Sequence, residues 1–340
     1  MRLLRPILLS ACLLSAATLR AQEAPSPGGP PPASKAPPPA PEDVADGQTL
    51  KVRVNLVNTY FSARDKGGFL TGLHKDDCEI TENKEPQTIK NFTQEKKLPL
   101  TIGILLDTSG SQEQVLPLEQ ESGAQFLKDM LTPKDEAFLI SFDINVDLLA
   151  DYTNSARELR RAMDKARINT GAGTGSVTGN MTPKGTLLYD AVYLATHEKL
   201  QSEAGRKVIV MLTDGGDQGS NIKLKEAIES AQKANAIIYV ILISDQGFMG
   251  QYMGFSPAGD MDRLTRETGG RVINIGHNAK KLDEAFAQIS DELRTQYLVS
   301  YTPKNAELDG KFRNISISCG KDVKVQARKG YFAVADSNTE

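Results

Sequence analysis

The sequence predicts an α/β protein with a doubly wound, mainly parallel sheet at its centre and β-rich ends. Two observations predict it. Between residues 98 and 294, fully apolar runs such as LTIGILLD, EAFLISF, KVIVMLTD and IIYVILI alternate with amphipathic segments. Strands apolar along their whole length belong to a parallel sheet covered by helices on both faces. Outside that span the pattern changes to short alternating strands separated by turn residues.

The elements follow in chain order. KVRVNL and NTYFSARD alternate apolar and polar residues, and DKGG and ENKEP are turn signals around CEITEN and TIKNF. LTIGILLD is the first buried strand, and EQVLPLEQESGAQFLKDML the helix after it. EAFLISF and VDLLADY are strands joined by a short turn, and SARELRRAMDKA and TLLYDAVYLATHEKLQ are helices. KVIVMLTD, LKEAIESAQKANA and IIYVILI read strand, helix, strand; DMDRLTRETG, RVINI and KKLDEAFAQISDELRTQ read helix, strand, helix. QYLVSYT, RNISISC and VKVQARKGYFAV close the chain as strands.

The first 48 residues stand outside this fold. Arg2 and Arg5 precede an apolar stretch, Pro6 to Leu19, too short to span a bilayer, and Leu19-Arg20-Ala21 offers small-residue cleavage. Residues 1–21 are therefore read as a signal peptide, and the protein as secreted or periplasmic. The alternative is lipid anchoring at Cys12, since Leu9-Ser10-Ala11-Cys12 resembles a lipobox. Cleavage there would strand further apolar residues on the mature side. Residues 22–48 are Pro-rich with almost no apolar bulk, which suits an extended, solvated linker. No other run approaches the ~20 apolar residues of a membrane helix.

Loss of Arg2, Arg5 and Arg20 with the leader takes the formal charge from −3 to −6, which argues against nucleic acid as a partner. Beyond Cys12 only Cys78 and Cys319 remain, too few for a cysteine-based zinc site. His74, His197 and His277 are far apart in sequence and form no HExxH pattern.

Chemistry concentrates in GILLDTSGSQ, residues 103–112. An aspartic protease needs glycine directly after Asp-Thr and a second such motif, so that two carboxyls share a proton. Here Ser109 follows Thr108, and Asp214 is preceded by its threonine. An aspartyl-phosphate mechanism wants a second acid where Ser109 stands, and neither GxSxG nor GxxxxGK[ST] occurs. In a doubly wound sheet, ligands bind beyond the carboxyl ends of the strands, where the strand order reverses. Asp107 and Asp214 each stand at such an end. Asp107, Ser109 and Ser111 alternate in one loop, so three oxygens can face one point. Hard oxygen donors with few charges suit Mg²⁺ or Mn²⁺.

DTSGS, GTLLYDA and MLTDGGD, in that order, resemble the DxSxS…T…D metal-ion-dependent adhesion site of von Willebrand factor A (VWA) domains, over residues 98–294. The resemblance implies a Rossmann-like VWA sheet and a metal site formed by Asp107, Ser109, Ser111, Thr186 and Asp214. Ser109 and Ser111 would bind the ion directly, Thr186 directly or through water, and the two aspartates would hold its waters and orient the hydroxyls. The flanks, residues 49–95 and 295–335, are similar to the β segments that bracket the core in bacterial secreted VWA-related proteins. That similarity implies that both ends pair with each other in a small β domain, into which the VWA core is inserted.

The function implied is non-catalytic: a partner protein's Asp or Glu would complete the coordination of Mg²⁺ or Mn²⁺. The alternative is an assembly scaffold with a metal-free core and contacts made by the terminal β domain. Single strand-end Ser and Thr residues often only cap turns, but five oxygens in this arrangement exceed what capping requires. INTGAGTGSVTGNMTPKG, residues 168–185, is read as a loop presenting Thr186. Phe248, Met249, Tyr252, Met253 and Phe255 follow a strand and are candidates for a partner-binding rim, the alternative being packing onto the domain's own top. Asp143, Asp217 and Lys184 are read by default as solvated surface. Cys78 alternates in phase with Ile80, and Cys319 with Ile315 and Ile317, so both thiols should face the apolar side of their strands. They are candidates for a disulfide, against two buried free thiols.

Overall fold

The computed structural model describes residues 56–95, 98–169, 185–243, 257–276 and 278–334, all within one unit of the chain, Arg53–Glu340. Of KVRVNL only Leu56 is described. The leader, the linker, most of the loop 168–185, and the rim candidates Phe248, Met249, Tyr252, Met253 and Phe255 lie outside the described residues, as do Lys184 and His277.

The amino-terminal strands are β1 (Val57–Asp65), β2 (Gly68–Phe69), β3 (Glu79–Glu82), β4 (Glu85–Gln87) and β5 (Ile89–Gln94). The α/β core then runs β6 (Leu100–Asp107), α1 (Leu116–Met130), β7 (Glu136–Phe142), β8 (Val146–Thr153), α2 (Ala156–Met163) and α3 (Leu188–Tyr193). It continues β9 (Arg206–Thr213), α4 (Leu224–Ala234), β10 (Ala236–Leu242), α5 (Pro257–Thr268), β11 (Val272–Asn274) and α6 (Ala279–Thr295).

The core sheet has the order β8-β7-β6-β9-β10-β11. Five strands are parallel, and only the edge strand β8 is antiparallel, folding back from β7 by a short turn. The order reverses between β6 and β9. Every residue of β6, β9 and β10 is buried, which is why these segments read as unbroken apolar runs. Ile102, Ile104 and Leu106 pack on one face with α1, α2 and α6, through Phe126, Leu159, Phe286 and Ile289. Leu105, Ile209 and Met211 pack on the other with α3, α4 and α5, through Leu188, Ala231 and Leu264. Gly103 interrupts β6 because the ring of Phe138 on β7 occupies its side-chain space: a Cβ there would lie 2.4 Å from Cζ. The helix read as TLLYDAVYLATHEKLQ is not uniform. After α3 it widens to a π-helix over Leu194–Leu200, where Thr196 Oγ1 lies 2.8 Å from Val192 O and 2.6 Å from Ser230 Oγ. A hydroxyl competing for an i−4 carbonyl loosens the ladder in this way.

The last strands are β12 (Tyr297–Tyr301), β13 (Phe312–Ser318), β14 (Lys324–Ala327) and β15 (Gly330–Phe332). They interleave with the first. One sheet is ordered β14-β1-β12-β5, with β2 on β1, and the other β15-β13-β3-β4. Phe61, Ile89, Tyr297 and Tyr301 of the first sheet and Ile80 and Ile315 of the second share an apolar cluster. Cys78 and Cys319, both buried in that cluster, are joined by a disulfide. VKVQARKGYFAV is two strands, not one. Between them the Lys329 N–H donates to Glu267 O and its carbonyl accepts from Ile315 N, so the chain leaves one sheet and enters the other. β1 has a second buried face: Tyr60 joins the α/β core, and Ser62 donates to Glu292 of α6 at 2.9 Å.

Candidate metal centre

The chain leaves β6 towards α1 on one face of the sheet and leaves β9 on the way to α4 on the other. The two connections diverge, and the crevice between them is where a doubly wound sheet takes a ligand. Asp107, the last residue of β6, accepts the backbone N–H of Ser109 on Oδ1 at 3.0 Å and the hydroxyl of Thr213 on Oδ2 at 2.6 Å. This holds the DTSGS loop in a tight turn that continues into a 3₁₀ turn, Gly110–Gln112. The hydroxyls of Ser109 and Ser111 are brought 3.1 Å apart.

The loop after β9 is held as firmly. Thr213 Oγ1 accepts the Gly215 N–H at 3.0 Å, and Asp214 Oδ1 accepts the Gly216 N–H at 3.0 Å. Gly215 has φ +84°, and a Cβ there would also press on Leu242, Met261 and Pro257, so the turn carrying Asp214 needs glycine. Thr186 stands on a third loop, buried, and its carbonyl accepts the Gln218 N–H at 2.9 Å while Gly185 donates to Gln218 O. Thr186 and Asp214 therefore sit on segments tied to one another.

Asp143 is not the solvated residue expected. It is buried at the end of β7, where its carboxylate accepts Thr108 Oγ1 at 2.7 Å, Asn145 N and Asn169 Nδ2, and its carbonyl accepts Leu187 N. It links the DTSGS loop to the Thr186 loop. Asp217 accepts Ser220 Oγ at 2.6 Å beside the start of α3, a helix-anchoring role. His74 and His197 pair locally with Asp77 and Glu198 and take no part in the crevice.

Burial raises the Asp107 carboxyl to about 6; the hydrogen bonds from Ser109 and Thr213 oppose the rise, and the charge of Asp214 adds to it. A second acid lies close enough to feel both aspartates. Glu119 of α1 is buried, and burial followed by Asp107 and Asp214 lifts its carboxyl well above the ordinary range. Neither oxygen of Glu119 has a hydrogen-bond partner among the described residues, and the Oε1 of the buried Gln112 has none either. Glu119 is not among the candidates drawn from the sequence, yet the signal was there. Leu116, Glu119, Gly123, Phe126 and Met130 recur at helical spacing on one buried face, and an acid on an apolar face is the anomaly.

This donor set fits a small dication. It offers paired neutral hydroxyls, two aspartates that can hold and polarise water, and buried oxygens lacking partners. Among the described residues no group of three or more His, Cys, Asp or Glu is placed to grip an ion directly. Of the five residues expected at the site, Ser109 and Ser111 have their hydroxyls together, Asp107 is bonded to that loop, and Thr186 and Asp214 stand on connected loops.

A sheet whose first strand lies at the switch point, with a DxSxS loop leaving that strand, is the arrangement that the resemblance to VWA domains implies. No family model matches the chain, and no curated protein matches it. Among solved structures it is similar to the conserved hypothetical protein BatB of Bacteroides thetaiotaomicron, with 16% identity and TM-score 0.41 over 57% of this chain and 98% of that one. It is also similar to the vWF domain of the type V pili tip protein Mfa5 of Porphyromonas gingivalis, with 13% identity and TM-score 0.43 over 58% and 95%. A third is proximal thread matrix protein 1 of the mussel byssus, in a form with a zinc-occupied MIDAS motif, with 16% identity and TM-score 0.46 over 61% and 48%. The assignment of the core rests on this chain's own strand order and loop motif.

Proposed function

We propose that this is a secreted, non-catalytic VWA-type protein that binds a protein partner through Mg²⁺ or Mn²⁺ at the crevice between β6 and β9. The observation that carries the reading is the Asp107 loop. Two serine hydroxyls 3.1 Å apart are held by a buried carboxylate whose own bonds span β6 and β9. When bound, the ion supplies an electrophilic coordination position that a partner's Asp or Glu can fill, because few of its protein ligands are anionic. Asp107 and Thr213 keep the hydroxyls aimed, and the Gly215 turn keeps Asp214 at the rim. The leader 1–21 and the linker 22–48 would place the core, 98–294, outside the cytoplasm on a tether. The segments 49–95 and 295–335 would be its β platform. No described helix is long and apolar enough to cross a membrane.

Calorimetric titration of the chain with Mn²⁺ and Mg²⁺, followed by partner capture in Mg²⁺ or EDTA, tests this. Binding of one ion by the wild type, its loss in Asp107→Ala, and capture only with metal are the expected results. Capture that is equal with EDTA and in Ser109→Ala would transfer the function to the terminal β platform as a metal-free scaffold.

A further inference from the structure

Glu119 has no structural occupation that accounts for it. Its side chain is 1% exposed, one turn into α1, and both oxygens lack a hydrogen-bond partner among the described residues. An unpartnered buried polar group is destabilising, and more so when charged. The charges that act on it are Asp107 and Asp214, both negative. It has neither the arginine that Glu82 and Glu292 each possess nor the hydroxyls that crown them. Gln112, directly after Ser111, is the second independent sign. Its Oε1 is likewise buried and has no partner among the described residues, so two oxygen-bearing side chains in and just after the same loop are left without a donor there.

We propose that Glu119 is the third carboxylate of the metal centre, holding the ion through water rather than by direct ligation. It rests on the metal reading of the Asp107 loop. Direct ligation is set aside because the three carboxylates do not form a group close enough to grip one ion. The hydroxyl ligands are neutral, so the charge that retains a dication must come from acids at one remove. With Asp107, Asp214 and Glu119 ionised, a dication faces three negative charges instead of two. Carboxylates that orient a metal's waters and ligands typically change affinity by about 10–100-fold when altered. A bound dication also supplies the positive charge that Glu119 otherwise lacks, so Glu119 couples ion binding to the packing of α1.

The test is Mn²⁺ titration of the full chain as wild type, Asp107→Ala, Glu119→Gln and Glu119→Met, with thermal unfolding of each in EDTA. Glu119→Gln should bind Mn²⁺ about 10–100-fold more weakly while unfolding in EDTA no earlier than wild type. Glu119→Met, which removes the buried acid for an apolar chain of similar length, should unfold later in EDTA and bind as weakly as Glu119→Gln. Wild-type affinity in both Glu119 variants, with binding lost in Asp107→Ala, would overturn the role of Glu119 and leave the metal reading standing. Early unfolding of both variants in EDTA at unchanged affinity would make Glu119 a purely structural acid. Absence of Mn²⁺ binding by the wild type would remove both readings together.

Discussion

The hydroxyl of Thr213 donates a 2.6 Å hydrogen bond to Asp107, joining the ends of two adjacent parallel strands at the point where the sheet order reverses. The same hydroxyl accepts the Gly215 N–H, so one side chain sets both the Asp107 carboxylate and the Asp214 turn. Thr213 is fully buried. Thr213→Val should keep the shape and remove both bonds. The expected cost is ~1–3 kcal/mol of stability from the carboxylate left short of a donor, and about 10–100-fold in Mn²⁺ affinity. Thr213→Ser should restore most of the affinity. Calorimetric affinities for the three proteins decide it; a Val variant that binds like the wild type would show that Asp107 needs no such support.

The Asp107 carboxyl, raised from 3.8 to about 6, gives a pH dependence with a definite sign. The folded, metal-free protein holds this proton more tightly than the unfolded chain. Stability from that difference is full below 3.8 and is lost as pH rises through about 6, a change of ~3 kcal/mol at 1.36 kcal/mol per unit. The ion, in contrast, requires the carboxylate. Apparent Mn²⁺ affinity should therefore level off above about pH 6 and fall about tenfold per unit below it. That plateau belongs to Asp107 alone; Glu119, lifted well above its ordinary range, would add a second proton release, seen as a rise continuing above about pH 6 and a steeper fall below it. Titrations from pH 5 to 8, with unfolding in EDTA over the same range, measure both arms. Parallel rather than opposed trends would contradict the assignment.

Much of this architecture could be read from residue order alone, and the exceptions share a cause. The buried strands β6, β7, β9 and β10 announced themselves because a strand covered on both faces has no polar position. The position of Asp107 at a strand end and the convergence of Ser109 and Ser111 were legible because a polar, glycine-containing run directly after an apolar strand can only be the loop that leaves it. Asp143 and Glu119 were missed because their roles depend on which segments meet. Nothing in the local sequence distinguishes a carboxylate that bridges two loops from one in water. The division of VKVQARKGYFAV into β14 and β15 was hidden likewise, since the carbonyl of Glu267 that diverts the chain lies far away in sequence.

A buried carboxylate on α6 is one of the links between the α/β core and the β sheets. Glu292 of α6, 1% exposed, takes Ser62 of β1 at 2.9 Å, Tyr239 of β10 at 3.1 Å and Arg271 at 2.8 Å. Removing the carboxylate leaves the buried hydroxyls of Ser62 and Tyr239 short of an acceptor, at about 1–3 kcal/mol, while the partly exposed Arg271 can turn to solvent. Glu292→Ala should therefore lower stability by that order in urea titrations while leaving Mn²⁺ affinity within about twofold, since effects at separate sites add. A coupled loss of affinity would show that the β platform and the metal crevice communicate through α6.

The Cys78–Cys319 bridge closes a sequence separation of 241 residues, with the whole α/β core inside the loop. In the chain-entropy model, constraint of the unfolded state grows with the logarithm of loop length, giving about 5 kcal/mol for a loop of this size. Because both thiols sit in the cluster shared by the two β sheets, reduction should first loosen the pairing of β3 with β13 and leave the core sheet intact. Guanidinium titration with and without dithiothreitol, alongside Cys78→Ser/Cys319→Ser, is the measurement. A stability loss of several kcal/mol with undiminished Mn²⁺ binding to the folded protein is expected. Loss of Mn²⁺ binding under native conditions on reduction would mean instead that the crevice depends on the β platform for its geometry.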